Sequence, residues 1–423
     1  MYCAIDRNFG SRVGMTAALF IIACVFLVAP CQAQSFQLLH SFTGGEGGAE
    51  PWAGVTLDRA GNIYGTTTNG GNEYGDVFKL SQVGSAWVLT PLHDFEGDTD
   101  GAGPYSTLRI GPDGGIYGTT EAGGITDDCC GTVFKLNPPA TVCKTSVCPW
   151  VETILYRFQG GNDGSGAYGG ITFDQAGNIY GTTGEGGGTG CTGPGCGTVY
   201  KLTNSQGQWT ESVLYRFGGN GDGANPLSTV IMDQAGNLYG TTSGGGSAGF
   251  GAVYELSPAG SGWSERILYS FQNGSDGRKP AGGLVMDAAG NLYGDTYYGG
   301  SGSGGTVYEL AASGGDWTFN LLYSFTTHQN NGGPWATLVI DSAGSLYGTT
   351  YAAGVGDGSV FKLTPSNGSW IETDLVDFEH TNGSVSYGSV ALDPSGNIYG
   401  VAFNGGSSRN CTGGCGVVWE VTR

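Results

Sequence analysis

The sequence contains 423 residues, with 36 acidic and 16 basic side chains and a formal net charge of −20. So acidic a chain lacks the basic face that nucleic acids and anionic membrane surfaces require, and both classes of partner are excluded. Its 83 glycines exceed the ordinary share of about 7%, but they fall at fixed positions of a repeat and do not indicate disorder.

The first 33 residues predict a secretory signal peptide. Two arginines precede an apolar run that ends at Ala29, and a small residue, Ala33, stands before the expected cut. The apolar run is too short for a comfortable membrane span, so we predict none. Cleavage is expected after Ala33, with a lipid anchor on Cys31 as the minor alternative. The sequence therefore predicts export to the extracellular space or the periplasm, and one domain over residues 34–423.

One motif recurs along the rest of the chain. Its clearest copy is the segment 226–242, Pro-Leu-Ser-Thr-Val-Ile-Met-Asp-Gln-Ala-Gly-Asn-Leu-Tyr-Gly-Thr-Thr. The tyrosine of the motif returns after steps of 52 to 63 residues, as Tyr64, Tyr117, Tyr180, Tyr239, Tyr293, Tyr347 and Tyr399. Repeats of about 50 residues that carry several short strands are typical of propeller blades, so the seven copies predict seven blades.

Each copy contains four strand candidates. In the fourth copy the first strand alternates through Val230 and Met232, and an Asp-Gln-Ala-Gly turn leads to the second strand, 237–242. Period-two apolar residues indicate a strand with one buried face, and Asp and Gly at these positions fit a type I turn. The third strand is 253–256, and a tryptophan opens the fourth. We interpret the recurrent tryptophans as packing between blades; they are Trp87, Trp150, Trp209, Trp263, Trp317 and Trp370.

The two ends of the chain are predicted to share one blade. The segment Phe36–Phe42 matches a fourth strand, whereas the last copy supplies only three strands and ends in 417–421. Pairing the two segments would close the ring and remove an exposed sheet edge. The predicted fold is therefore all-β: a seven-bladed β-propeller of four-stranded blades, closed by the N-terminal strand.

The same copies resemble a known family. The recurring order is Leu-Tyr-Ser-Phe, a loop Asp-Gly-x-x-Pro, and then Asp-x-x-Gly-Asn-Leu-Tyr-Gly-Thr-Thr, and it covers residues 36–421. This order is similar to the bacterial GloVer tandem-repeat family. The resemblance implies a secreted or surface repeat protein. It implies no catalytic residues, so it contributes no site.

Eight of the 11 cysteines lie beyond the predicted signal peptide. An even number of cysteines in an exported chain suggests disulfides. The short spacings favour three local bridges, Cys143–Cys148, Cys191–Cys196 and Cys411–Cys415. The adjacent Cys129 and Cys130 are expected either to bridge one another or to stay partly free. The chain has no paired Cys-x2-Cys knuckles and no histidine near its cysteines, so no zinc site is predicted there.

The loops that lead from a fourth strand to the next blade carry a repeated polar residue. It is Asp or Asn four residues before the proline position: Asp100, Asp163, Asp222, Asp276, Asn330 and Asn382. One interpretation is a ring of carboxylates around calcium, which prefers oxygen ligands. We favour a repeated Asx turn, because calcium loops place several carboxylates within one segment. The prediction is therefore no cofactor, with calcium as the alternative.

The residue after the proline position is expected at the top mouth of the central channel. It is aromatic in five consecutive blades and aliphatic in the other two; in ring order the residues are Trp335, Tyr387, Trp52, Tyr105, Tyr168, Leu227 and Ala281. An arc of rings at a wet mouth suits stacking on sugar faces or on other flat ligands. Near the gap, Arg278 and Lys279 could receive a carboxylate or sulfate group. The alternative is that the rings only plug the channel.

Catalysis finds little support in the sequence. His40 and His93 stand where other copies have tyrosine, so both are interpreted as structural. We predict a monomeric binding module without enzymatic activity, directed at an extracellular glycan or a surface protein. Two alternatives are kept open: an enzyme (a polysaccharide lyase or hydrolase, or a lactonase) and a surface or matrix scaffold. A carboxylate pair facing the channel would favour the enzyme, and a sealed, dry channel would favour the scaffold.

Overall fold

Short strands joined by glycine-rich turns make up the chain beyond the predicted signal peptide. The computed structural model describes residues 34–126, 129–139, 150–188, 190–191, 193–219, 221–326, 332–351 and 357–423. The predicted signal peptide and the predicted bridge Cys143–Cys148 lie outside these residues. Within the described ranges the one helix is the 3-10 turn Gly45–Gly47, and no helix there is long and apolar enough to cross a membrane.

The described strands form seven four-stranded antiparallel sheets, plus a two-residue pairing of Gly223–Ala224 with Gly244–Gly245. From the channel outward the strands are Thr56–Leu57, Ile63–Thr67, Asp76–Val83 and Ala86–Asp94 in blade one; Arg109–Ile110, Ile116–Thr126, Cys129–Asn137 and Val151–Arg157 in blade two; Thr172–Phe173, Ile179–Thr183, Thr198–Ser205 and Gln208–Arg216 in blade three; Ile231–Met232, Leu238–Thr242, Ala252–Ala259 and Gly262–Ser270 in blade four; Val285–Met286, Leu292–Thr296, Ser303–Ser313 and Asp316–Thr326 in blade five; Val339–Ile340, Leu346–Thr350, Ser359–Ser366 and Ser369–Asp377 in blade six; and Ala391–Leu392, Ile398–Ala402, Val417–Thr422 and Ser35–Ser41 in blade seven. The predicted all-β, seven-bladed propeller is confirmed.

The repeated motif folds around the aspartate of its turn. In blade four, Asp233 Oδ1 accepts the backbone N–H groups of Ala235 at 2.8 Å and Asn237 at 2.9 Å. Its Oδ2 accepts the Asn237 amide at 2.8 Å and the Tyr239 hydroxyl at 3.2 Å. One carboxylate thus ties the turn to the second strand, which explains why Asp, Asn and Tyr recur together.

We expect Asp233→Ala to lower the free energy of unfolding by about 2 kcal/mol, because one truncation removes four hydrogen bonds. Of their donors, the Tyr239 hydroxyl keeps Glu255 Oε1 as an acceptor at 3.4 Å. Urea denaturation measures the change. Asp316→Ala is the matched control, since Asp316 is 94% exposed and only pairs with Arg266 at 3.6 Å. Equal stability of the two variants would contradict the structural role of the turn aspartate.

Hydrophobic side chains cluster between neighbouring blades. The described residues form seven buried clusters, one at each junction. Between blades four and five, the Tyr239 and Trp317 rings meet edge-on with centroids 6.0 Å apart. The motif glycine makes room for a third-strand ring, since a Cβ on Gly118 would lie 2.6 Å from Phe134 Cζ. The recurrent tryptophans therefore pack between blades, as predicted.

The N-terminal strand completes the last blade. Ser35–Ser41 pairs antiparallel with Val417–Thr422, and Phe36 lies opposite Val421. Phe42 is 0% exposed, and Leu39 is buried in the cluster between blades seven and one. The predicted closure of the ring by the N-terminal strand is therefore observed.

Three disulfides join described cysteines. Cys191 is bonded to Cys196 and Cys411 to Cys415, which are the two predicted local pairings within the described residues. Cys129 is bonded to its neighbour Cys130. Because each bridge closes a very short loop, it removes little entropy from the unfolded chain and acts locally.

Candidate ligand-binding site at the channel mouth

Two sets of loops meet at one end of the ring, here called the top face. In every blade the entering loop pairs with the end of the second strand or with the residues just after it. Six blades do so through an isolated β-bridge, as in Ala102 with Ala122 and Arg278 with Tyr298, and blade four through the pairing of Gly223–Ala224 with Gly244–Gly245. These bridges fix the start of every innermost strand. They therefore hold the residue after each proline position at the mouth of the channel.

All seven of these rim residues line one cavity of about 470 Å³: Trp52, Tyr105, Tyr168, Leu227, Ala281, Trp335 and Tyr387. This volume lies within the range of about 300–1,000 Å³ that is typical of small-molecule sites. Below it, apolar first-strand residues such as Leu57, Ile231 and Met286 line a second cavity of about 490 Å³. The aromatic rings therefore leave the mouth of the channel open. A sealed, dry channel would have favoured a surface or matrix scaffold, and the described residues do not form one.

The five aromatic rim residues form a continuous arc. Trp52 and Tyr387 are stacked, with ring centroids 3.7 Å apart and planes 8° apart. Trp52 also meets Tyr105 edge-on at 5.2 Å, and Tyr105 meets Tyr168 at 5.8 Å. Trp335 continues the arc on the other side, 6.2 Å from Tyr387. Contacts between neighbouring rings hold the arc in place before a ligand binds. Because Trp52 and Tyr387 stack on each other, one face of each ring is covered and cannot contact a ligand.

Sequence reasoning missed a second layer of rings behind the arc. Tyr297, Tyr351 and Phe403 pack against the rim, with Tyr297 4.7 Å from Trp335 and Phe403 5.5 Å from Trp52. All three stand directly after the second strand, at the same position of the repeated motif. The signal was therefore present in the aligned copies, one residue beyond the Thr-Thr pair.

The gap in the arc carries a cation. Lys279 lines the cavity, and its Nζ lies 4.7 Å from the Trp335 ring centroid and 5.6 Å from that of Tyr297. Burial, together with the neighbouring Arg278, lowers the pKa of Lys279. The guanidinium of Arg278 lies 4.9 Å from the Tyr298 ring, and Arg278 is not among the residues that line the cavity. Of the two predicted cationic site residues, the structure brings only Lys279 to the rim.

A carboxylate pair lies on the opposite part of the ring. Glu185 lines the cavity, and Glu121 accepts a hydrogen bond from the Tyr168 hydroxyl at 2.8 Å. Burial raises the pKa of Glu121, and the charge of Glu185 raises it further. Burial and the same two glutamates raise the pKa of Tyr168. An acid with an elevated pKa beside a second carboxylate is an arrangement that general acid–base catalysis uses.

The repeated loop aspartates point toward their own loops. Asp163 Oδ2 accepts the backbone N–H of Gln159 and the Tyr156 hydroxyl, both at 2.9 Å. Asp222 makes the same two contacts in the next loop, and Asn330 lies outside the described residues. These contacts favour the repeated turn over a shared calcium site, since the carboxylates serve separate loops.

A glutamate from the next blade faces each of these tyrosine–aspartate pairs. Burial, with the charge of Asp163, raises the pKa of Glu211 to about 7. Burial, with the charge of Asp222, raises the pKa of Glu265 to about 7. Both folded values exceed the unfolded value of 4.5. Their contribution to stability is therefore complete below about pH 4.5 and is lost as the pH rises through about 7.

We expect the protein to melt at a higher temperature at pH 5 than at pH 8. Each of the two glutamates contributes about 1 kcal/mol to the difference, after allowance for their partial exposure. Burial lowers the pKa of His40, so this single group favours the folded protein at higher pH and acts against the trend. Thermal melts at both pH values test it, with Glu211→Gln/Glu265→Gln expected to reduce the dependence. Part of it should remain, because burial also raises the pKa of Asp76 and of Glu372 to about 7. A double variant with the full wild-type pH dependence would contradict the assignment.

Comparison with known proteins agrees with the repeat. A family model described as Gloeobacter/Verrucomicrobia repeat matches residues 20–193, 140–330 and 264–422. The chain is also 27% identical over 219 residues to a xyloglucanase of Paenibacillus sp, across 47% of this chain and 20% of that protein. The chain thus spans about a fifth of the length of this relative.

Solved structures share the fold at low identity. One is the extracellular domain of a protein described as a hybrid two-component system of B. thetaiotaomicron, with a TM-score of 0.54 and 12% identity over 91% of this chain and 40% of that one. Another is a fungal alcohol oxidase of the AA5 family in complex with copper, with a TM-score of 0.53 and 17% identity over 91% of this chain and 76% of that one. At such identities these likenesses show the fold alone.

Proposed function

Because this chain belongs to the Gloeobacter/Verrucomicrobia repeat family, whose fold assigns no activity, its function has to be argued from the site, and we propose that the channel mouth binds an extracellular glycan. The observation that carries the proposal is the asymmetric cavity. Five rings occupy one arc of its rim, and Leu227, Ala281 and Lys279 occupy the gap.

The chemistry of the rim suits a sugar. The apolar C–H faces of a pyranose ring can cover an aromatic ring and release water from it, while its hydroxyl groups need hydrogen-bond partners. Four short polar side chains also line the cavity: Ser106, Ser228, Asn225 and Ser243. Each already makes a hydrogen bond within the protein, and its side-chain oxygen can accept a further one from a sugar hydroxyl. Because the partners are short side chains on strand ends, the site requires little ordering when a ligand binds.

The charge of the chain narrows the glycan class. A net charge of −20 repels a polyanion at low ionic strength, so a densely sulfated or uronate-rich polymer is disfavoured. Lys279 stands at the rim and can donate to a hydroxyl or to a single acidic group. We therefore propose a neutral or sparsely acidic oligosaccharide as the ligand. The similarity to a protein named as a xyloglucanase supports a neutral β-glucan as the first candidate.

A glycan array tests this proposal with the mature protein, residues 34–423. The expected result is retention of neutral oligosaccharides, with xyloglucan fragments among them, and little retention of heavily sulfated chains. Binding should quench the fluorescence of rim tryptophans, because their exposed faces become covered. An array without retained glycans at high protein concentration would refute the proposal.

The carboxylate pair supports a second candidate, a glycan-cleaving enzyme. Burial raises the pKa of Glu121, which accepts a hydrogen bond from the rim residue Tyr168, and Glu185 lines the cavity. Incubation with the retained oligosaccharide, followed by assay of new reducing ends and of unsaturated products, distinguishes the candidates. Product formed by the wild type but not by Glu121→Gln would establish an enzyme. An oligosaccharide that stays intact after long incubation with the wild type would favour the binding module.

We also propose that the protein acts outside the cytoplasm. Its three disulfides between described cysteines are typical of oxidising compartments. The predicted signal peptide, residues 1–33, would deliver residues 34–423 there as a single monomeric domain. A surface protein that displays the glycan is the natural macromolecular partner.

A further inference from the structure

The junction between blades one and two differs from the next two junctions, two–three and three–four, in one side chain. At the next junction Tyr156 donates to the loop residue Asp163, and Glu211 of the following blade faces this pair. Between blades one and two, the tyrosine is replaced by His93. A weak ligand, the protonated phenol, is thus exchanged for an imidazole, which is among the commonest metal ligands in proteins.

The three groups at this junction are already close together. His93 Nε2 lies 3.2 Å from Asp100 Oδ2 and 3.7 Å from Glu152 Oε1. All three donor atoms lie within 4.8 Å of one another. Two ligands bound tetrahedrally to zinc at about 2.0–2.1 Å are separated by about 3.3 Å. Two of the three separations are therefore close to that of two ligands on one zinc ion, and the third, between Asp100 and Glu152, is at most 4.8 Å.

We propose that His93, Asp100 and Glu152 form a binding site for a divalent transition-metal ion, with zinc as the reference ion. One imidazole nitrogen with two carboxylate oxygens suits zinc, whereas calcium and magnesium prefer oxygen ligands alone. The side chains of His93 and Asp100 are 18% and 14% exposed, which leaves access for water as a fourth ligand. The site bridges the fourth strand and exit loop of blade one to the fourth strand of blade two.

Glu152 offers the proposed site an oxygen atom that is buried. Glu152 Oε1 is shielded from solvent and has no hydrogen-bond partner among the described residues. Such an atom destabilises the fold unless a donor or a cation reaches it. Glu211 Oε1 is equally unpartnered at the next junction. There the third group is a tyrosine hydroxyl, so the imidazole is what distinguishes the proposed site.

His40 provides the contrast within the same chain. It is the other histidine that occupies the fourth-strand tyrosine position, in blade seven. The loop that follows it carries Gly47 where the other loops carry Asp or Asn. An imidazole without the loop carboxylate lacks the second ligand. His40 therefore serves as the matched control residue.

Zinc titration of tag-free mature protein with intact disulfides tests the proposal. Calorimetry and metal analysis after dialysis are expected to give one zinc ion per chain, with a raised melting temperature. His93→Tyr restores the arrangement of the next junction and is expected to fold normally while weakening zinc binding by about 100-fold or more. His40→Tyr is expected to bind zinc like the wild type, and Glu152→Gln to bind it as weakly as His93→Tyr.

Three results would overturn the assignment. The first is a wild-type protein that retains less than one zinc ion per chain after dialysis. The second is wild-type zinc affinity in a folded His93→Tyr variant, which would move the ion elsewhere. The third is an equal loss of zinc binding in His40→Tyr, which would indicate general surface binding through histidines.

Discussion

Removal of residues 34–42 is expected to cause a large loss of stability. The deletion takes away the outer strand of blade seven, with Leu39 and Phe42 from the buried core. Burial of such side chains contributes about 1.5–3 kcal/mol each. The deletion also uncovers the edge of Val417–Thr422, whose backbone groups lose their partners. We expect a fall of at least about 5 kcal/mol, seen as loss of the cooperative melt.

A circular permutant is the control for this deletion. Ser35 lies opposite Thr422 in the register, so a short turn can join Gln34 to Arg423 and a new chain start can be placed at Thr43. This chain keeps the closing strand and only changes its connection. It is expected to melt near the wild-type temperature, and a deletion variant that also does so would show that the strand does not hold the ring closed.

Asp295→Thr is expected to stabilise the protein by about 2 kcal/mol or more at pH 8, because it removes a buried carboxylate without partners. Asp295 is 0% exposed, and neither of its carboxylate oxygens has a hydrogen-bond partner among the described residues. At the same position of blade four, the Thr241 hydroxyl donates to the Gly282 carbonyl of the next blade at 2.8 Å. A threonine can make the same bond in blade five.

The gain from Asp295→Thr should depend on pH. Burial raises the pKa of Asp295 well above its usual value of 3.8. The protonated Asp295 therefore favours the folded protein at low pH. This contribution to the free energy of unfolding is lost as the pH rises through the folded pKa of Asp295. Urea denaturation at several pH values should show a gain that grows with pH. The reverse change, Thr241→Asp, should destabilise blade four in the same way, and a neutral effect of both exchanges would contradict this explanation.

The fold was predictable because every local signal is repeated. The turn aspartate, the strand periodicity and the motif tyrosine act together in each copy, as the contacts of Asp233 with Tyr239 illustrate. The phase of the strand pattern also predicted that Phe36 would return to the end of the chain, which the pairing with Val421 confirms. Agreement among local signals of this kind is what allows one sequence to specify one fold.

The site was only partly predictable, because it depends on which side chains meet across blades. The rim position indicated the arc correctly, since every blade places that residue at the mouth. The contact of Arg278 with Tyr298, by contrast, depends on which two side chains meet at one copy of the repeated β-bridge. His93 and Glu152 come from different blades, so only the ring brings them together.

The central claim, that the aromatic arc binds a glycan, is tested most directly by titrating two variants with an oligosaccharide retained by the wild type. Trp52→Ala/Trp335→Ala removes two rim rings that line the cavity. Truncation of an aromatic anchor commonly costs more than about 1 kcal/mol, so the pair should weaken binding at least about 30-fold. Leu227→Ala, a rim change in the gap of the arc, should leave affinity within about twofold. Affinity unchanged in a folded double tryptophan variant would contradict the claim.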